Sequence, residues 1–193
     1  MPEMKPAVSL TDPVALRAYA HPLRMRLVGL LRREGPLTAT KAAARLGESV
    51  PNCSFHLRQL AKYGLVERAE GADAREKPWR ATARSTHWES HSEDPEQQAA
   101  VDQLEAVVMA GYHERAQRWL ARHGAEPPEW RRVTGPSDEL LYLTAPELAA
   151  LERRFEELRA EFRPRHADPA LRPRGARPVN IVQFVMTLDE DLG

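Results

Sequence analysis

The 193-residue sequence predicts a mostly α fold with a small β component, in two parts. Three observations predict it. Four short amphipathic segments, each with a cap and a stop, fill the stretch from Asp12 to Gly64. Two β-like runs around a turn-rich tip follow directly. A long apolar-striped segment then leads into a strand–helix–strand pattern. The expected boundaries are 11–87 for the first part and 92–193 for the second.

In chain order, Asp12-Pro13 is an N-cap followed by proline at the first helical position, which predicts a short helix to about Tyr19. His21-Pro22 opens a second helix in the same way; Leu23, Leu27, Leu30 and Leu31 recur at helical spacing and Gly35-Pro36 ends it. Thr38 caps a third, with Ala42, Ala43 and Leu46 inward and Gly47 as its stop. Ser49 caps a fourth, Val50 to Tyr63, which stops at Gly64. The tight turn Gly47-Glu48-Ser49 gives the last two helices helix-turn-helix spacing.

At 100° per residue, Cys53, Leu57 and Leu60 form one stripe of the fourth helix, the side that faces the core. Pro51, Phe55, Arg58 and Lys62 fall on the opposite side, flanked by Asn52 and Gln59. Amides and a guanidinium suit base edges, a phenyl ring suits thymine methyls, and lysine suits phosphate. An ordinary solvated face has no reason to carry Phe55. His56 lies about 60° off the buried stripe, which fits helix packing or a phosphate contact.

After Gly64, the runs Leu65–Ala69 and Lys77–Thr82 bracket Gly71-Ala72-Asp73-Ala74, a predicted β-hairpin. Pro78 marks its second strand as an edge strand. Arg75 and Lys77, beside the tip, are placed to meet phosphates or a minor groove. Helix-turn-helix plus hairpin is a winged helix.

Several blocks then stand in one order: Ala20-His21-Pro22-Leu23-Arg24-Met25-Arg26-Leu27, Leu37-Thr38-Ala39-Thr40, Ser54-Phe55-His56-Leu57-Arg58-Gln59-Leu60, Gly64-Leu65-Val66-Glu67 and Lys77-Pro78-Trp79-Arg80. Over about residues 11–84 the chain resembles the ArsR-type winged-helix transcriptional regulators. The resemblance implies a homodimer that sets two recognition helices, here Ser49 to Tyr63, in successive major grooves of a pseudo-palindromic operator. The wing would be Leu65 to Thr82. Metal sensors of that family carry a Cys-x-Cys pair in the third helix, whereas this chain has Lys41-Ala42-Ala43-Ala44-Arg45. The family's alternative site uses paired Asp and His on the helix after the wing, and the spacing of Asp102, His113 and His123 does not reproduce it. No metal or other cofactor is expected.

Charge divides along the same line as the elements. Net charge is zero, yet residues 11–87 hold 14 Lys/Arg against 7 Asp/Glu, and residues 88–193 hold 13 against 20. A basic half suits a polyanion partner. Composition, 42% hydrophobic and 29% charged, is that of an ordinary globular protein. The longest apolar run, around Val107 to Tyr112, is far short of the ~20 residues of a membrane helix. Neither a secretory signal nor a disulfide pair is present, Cys53 being the single cysteine, so a cytoplasmic, nucleoid-associated protein is expected.

Enzyme signatures fail. His113-Glu114-Arg115-Ala116-Gln117 approaches zinc-protease spacing, but Gln117 stands where the second histidine belongs. There is no Gly-rich phosphate loop and no nucleophile elbow. His87 and His91, four apart, would share a face only on a helix. The mixed charges from Glu152 to Glu161 are those of a solvated helix face.

In the acidic half, Pro95 to about His123 predicts one long helix whose stripe (Val101, Leu104, Val108, Gly111 or Tyr112, Trp119, Leu120) is expected to pack on a twin. Gly124 to Pro136 predicts a linker, and Leu140 to Leu143 a short strand. Thr144-Ala145-Pro146-Glu147 is a capping box, after which Leu148, Leu151, Phe155, Leu158 and Phe162 form an a/d seam. Val179 to Thr187 predicts a buried strand, completing a small α+β unit. Trp88, Tyr112, Trp119, Trp130 and Tyr142 are candidate walls of an effector pocket. The reading is a homodimeric repressor. Asn52, Phe55, Arg58 and Gln59 contact bases; Lys62, Arg75 and Lys77 hold phosphates; Ser49, Pro51 and Ser54 border them. Two other readings are a winged helix used as a protein-interaction module and a small-molecule sensor acting through residues 88–193.

Overall fold

Each early helix begins where a side chain can take up an orphan backbone donor. In the computed structural model, which describes residues 4–69 and 77–188, α1 (Pro13–Tyr19) starts at Asp12, whose carboxylate accepts the Val14 N–H at 2.9 Å. The start of α2 (Pro22–Glu34) is capped by an imidazole: His21 Nδ1 accepts the Leu23 N–H at 3.1 Å. Thr38 caps α3 (Ala39–Leu46) through the Lys41 N–H, and Ser49 caps α4 (Val50–Lys62) through the Asn52 N–H. Between α3 and α4, Gly47 takes a left-handed backbone (φ 68°, ψ 35°), a conformation that costs glycine little. Its neighbour Glu48 is held from α2. Arg26 donates to Leu46 O at 2.6 Å and pairs with Glu48 Oε1 at 3.2 Å, so three elements fix this turn.

The chain divides into two compact units, Met1–Arg122 and His123–Gly193. In the first, Leu16, Leu27, Val28, Leu31, Ala42, Cys53, Leu57 and Leu65 are fully or almost fully buried in one apolar cluster. The hairpin strands β2 (Val66–Arg68) and β3 (Trp79–Ala81) pair antiparallel, with Val66 opposite Ala81 and Arg68 opposite Trp79. The edge-strand expectation for β3 needs correction. Trp79 exchanges two backbone hydrogen bonds with Leu37 (2.8 and 2.9 Å), so at its start β3 has partners on both sides. Pro78 lies just before that point, where its missing N–H is not required.

The sequence reading missed two strands, which pair with each other. β1 (Lys5–Ser9) pairs in parallel with β4 (Ala83–His87), Lys5 opposite Ala83 and Ser9 opposite His87. Its residues, Lys-Pro-Ala-Val-Ser, carry little β-propensity, and the pairing joins positions too far apart for any local signal. Arg32 on α2 locks β4 from behind, donating to Ala83 O at 2.9 Å and Thr86 Oγ1 at 2.8 Å.

Asp94 caps α5 (Pro95–His123) by accepting the Glu96 N–H at 2.9 Å. The first turns of this helix pack inward. Ala100, Val101 and Leu104 join the cluster of the first unit, and Arg17 on α1 pairs with Glu96 at 2.9 Å. That part of the apolar stripe is therefore occupied within the chain and is closed to a twin. Beyond Val108 the stripe opens to solvent, with Leu120 58% exposed.

The second unit holds α6 (Pro128–Arg131), α7 (Ala145–Ala160), α8 (Pro164–Ala167) and a 3-10 turn at Pro169–Leu171. α7 begins at the expected box: the Thr144 N–H and hydroxyl both donate to Glu147 Oε2, at 2.8 and 2.7 Å, which holds that carboxyl below its usual range. The α+β expectation is corrected here. Among the described residues neither 140–143 nor 179–187 forms a strand, and Ile181, predicted buried, is 68% exposed. Both runs are apolar enough for strands, but among the described residues neither has a strand partner, and unpaired strands are not stable in water. The predicted linker also contains α6, where Pro128 opens the turn and Thr134 Oγ1 donates to Trp130 O at 2.8 Å.

Candidate nucleic-acid interface

The face of α4 turned away from the core carries the residues the helical wheel put there. Cys53, Leu57 and Leu60 are buried, whereas Pro51, Asn52, Phe55, Arg58 and Lys62 are exposed and Ser54 and Gln59 are half-buried. Phe55 is 49% exposed. It is the one aromatic ring exposed on that face of α4 among the described residues.

Two of these side chains have local partners that set their direction. Asn52 Nδ2 donates to Glu48 Oε2 at 3.2 Å, and Arg58 Nη1 donates to Ser54 Oγ at 3.3 Å one turn back. Glu48 is the more consequential contact. It puts a carboxylate beside the start of α4, and Arg26 partly neutralises it. Ser49 uses one lone pair of its hydroxyl oxygen as the cap, so its O–H donor and one lone pair remain for a ligand.

His56 packs between two other rings. It is 8% exposed, with its ring centroid 4.4 Å from that of His21 and 5.2 Å from that of Phe55, the latter edge-on. Burial lowers the pKa of both His21 and His56, and the Arg24 charge lowers both further, against a smaller opposing pull from Glu48. The two rings thereby tie α4 to the cap of α2. Burial pushes the Cys53 thiol up, as suits an inert core side chain.

On the hairpin, Lys77 is exposed; Arg75 and the tip around Gly71 to Ala74 lie outside the described residues. Sequence reasoning passed over Arg68. Its guanidinium sits 3.7 Å over the Trp79 ring and donates to Lys77 O, so a cation is held flat on the hairpin next to Lys77. A cation and an aromatic directly opposite in the strand register are the signal that finds it. Arg26, which anchors the turn, has no such signal: it occupies an ordinary exposed helix position.

The histidine pair His87/His91 and the five candidate effector rings are not brought together as sets. His87 ends β4 and His91 lies in the following bend, so no helix brings them to one face; His87 Nε2 lies 3.2 Å from Glu89 instead. Among the described residues no three of His, Cys, Asp and Glu converge as a metal site. Of the five rings, Trp88 and Tyr112 line one cleft in the first unit. Trp130 belongs to the second unit beneath Arg177 (4.8 Å), and Tyr142 is 93% exposed.

Residues 19–69 match the family model described as a helix-turn-helix domain, so the chain carries such a domain over α2, α3, α4 and the start of the hairpin. Among solved structures, the crystal structure of RV1404 from Mycobacterium tuberculosis is similar over 59% of this chain and 85% of that one, at 17% identity and a TM-score of 0.33. No curated protein matches the chain. Among the described residues, no helix is long and apolar enough to cross a membrane.

Proposed function

We propose that this protein is a sequence-specific DNA-binding transcriptional regulator of the ArsR type, a homodimer that acts as a repressor by occupying its operator. The observation that carries the reading is the exposed face of α4: two amides, a guanidinium and a phenyl ring on the second helix of a helix-turn-helix domain. Asn52, Arg58 and Gln59 would read base edges, and Phe55 would meet thymine methyls. Lys62, Arg75 and Lys77 would hold phosphates; Ser49, Pro51 and Ser54 border the groove. The hairpin serves as the wing.

The exposed half of α5 and the apolar seam of α7 are the surfaces on which two copies would join, and a two-fold axis then sets the half-sites. Selection from a random duplex pool tests this reading. It should enrich an inverted repeat whose half-sites lie one helical turn apart, roughly 34 Å. A pool that enriches no motif contradicts it.

A further inference from the structure

A cleft of about 220 Å³ opens in the first unit where α2, β4 and α5 meet. Its lining combines two arginines, Arg32 and Arg84, with the rings of Tyr19, Trp88 and Tyr112 and the side chain of Val108. Among the described residues the lining has no carboxylate. Arg32 is half-buried there, and its hydrogen bonds go to neutral groups: Ala83 O, Thr86 Oγ1 and the Tyr19 phenol. Burial pulls its pKa down, and no acidic side chain among the described residues pairs with it. A half-buried cation met by neutral dipoles alone is incompletely compensated; an anion brought to it adds charge-assisted hydrogen bonds.

We propose that this cleft is a binding site for a small carboxylate built on a single aromatic ring, the carboxylate on Arg32 and Arg84 and the ring between Tyr19, Trp88 and Tyr112. The volume lies under the ~300 Å³ at which drug-sized pockets begin, which limits the body to one ring. Ring walls and Val108 select against a bare inorganic anion. Trp88 is held in place as a wall by its indole N–H, which donates to Glu105 at 3.2 Å. The position gives the ligand a lever. It would join α2, which packs on α4, to β4, which follows directly from hairpin strand β3. The regulatory consequence rests on the DNA-binding reading, whereas the binding itself does not.

The test is therefore made without DNA, by titration calorimetry of the full chain with benzoate, with neutral benzamide, and with inorganic phosphate. Benzoate should bind saturably, one per chain, at least about tenfold more tightly than benzamide or phosphate. Val108→Trp, which fills the cleft, should abolish binding. Arg84→Gln, outside the buried cluster, should weaken it by about tenfold and keeps the test open if the tryptophan variant does not fold. Equal affinity for benzamide, phosphate binding as tight as benzoate, full binding by either folded variant, or no benzoate binding would each overturn the proposal.

Discussion

Arg58 rests on Ser54 through a 3.3 Å hydrogen bond in the free chain, which pre-orients a side chain that would otherwise lose rotamer freedom on meeting DNA. If it reads a base, Arg58→Ala should weaken operator binding by roughly 1–3 kcal/mol and relax selectivity at one position. Anisotropy on operator and on random duplex measures both, and equal losses on the two would make it a phosphate contact instead. The stacked pair His21–His56 gives a second prediction. Both have folded pKa values below the ordinary 6.5, so the unfolded chain takes up protons first as pH falls. Stability should hold above about pH 6.5 and drop below it, by at most ~1.4 kcal/mol per pH unit for each ring. Thermal melts from pH 7.5 to 5.5 follow this, and His21→Ser, which keeps a cap, should flatten the curve. An unchanged slope in that variant would remove His21 from the account. At this scale the sequence was readable wherever a periodicity exposes a face: Cys53, Leu57 and Leu60 are buried and Phe55 is not. It was silent on Arg26 and on the Asn52–Glu48 contact, because both depend on which helix lies alongside.

At the scale of elements, the caps carried the prediction. Asp12, His21, Thr38 and Ser49 all start helices where the sequence placed them, since a cap and its helix are neighbours in the chain. Ser49→Ala should cost about 1 kcal/mol of stability, read in a denaturant melt. Ser49→Asp should restore the cap, yet weaken DNA binding by adding a negative charge at the start of α4. Recovery of both properties together would place Ser49 away from the phosphates. Strands behaved differently. β2 and β3 are joined by a short connection and were legible. β1 was not, because its partner β4 lies far along the chain, and the runs at 140–143 and 179–187 showed the converse error. Their apolar composition suggests strands, but composition supplies no hydrogen-bond partner, and among the described residues none is there.

At the scale of the molecule, burial is uneven. Among the described residues no side chain beyond Leu104 is buried, although α7 presents Phe155 and Leu158, Phe162 follows just past its end, and residues 179–188 are rich in exposed Val, Ile and Phe. Apolar surface on that scale marks an association surface, and the apolar runs of the second half could not be placed from sequence because they find no cover among the described residues. The 21.8 kDa chain should therefore elute at roughly twice its mass in light scattering, and Leu120→Glu with Leu158→Glu should bring it toward monomer. A wild-type monomer would contradict the dimer.

The central claim is selectivity for a DNA sequence, and one measurement meets it most directly: fluorescence anisotropy of the protein on DNA from upstream of its own gene, near 150 mM salt, with excess random duplex as competitor. The account predicts retention on the upstream DNA by a factor of about 10³ or more over random duplex. Equal affinity for the two, or no binding to either, would contradict it and leave the exposed face of α4 to a protein partner.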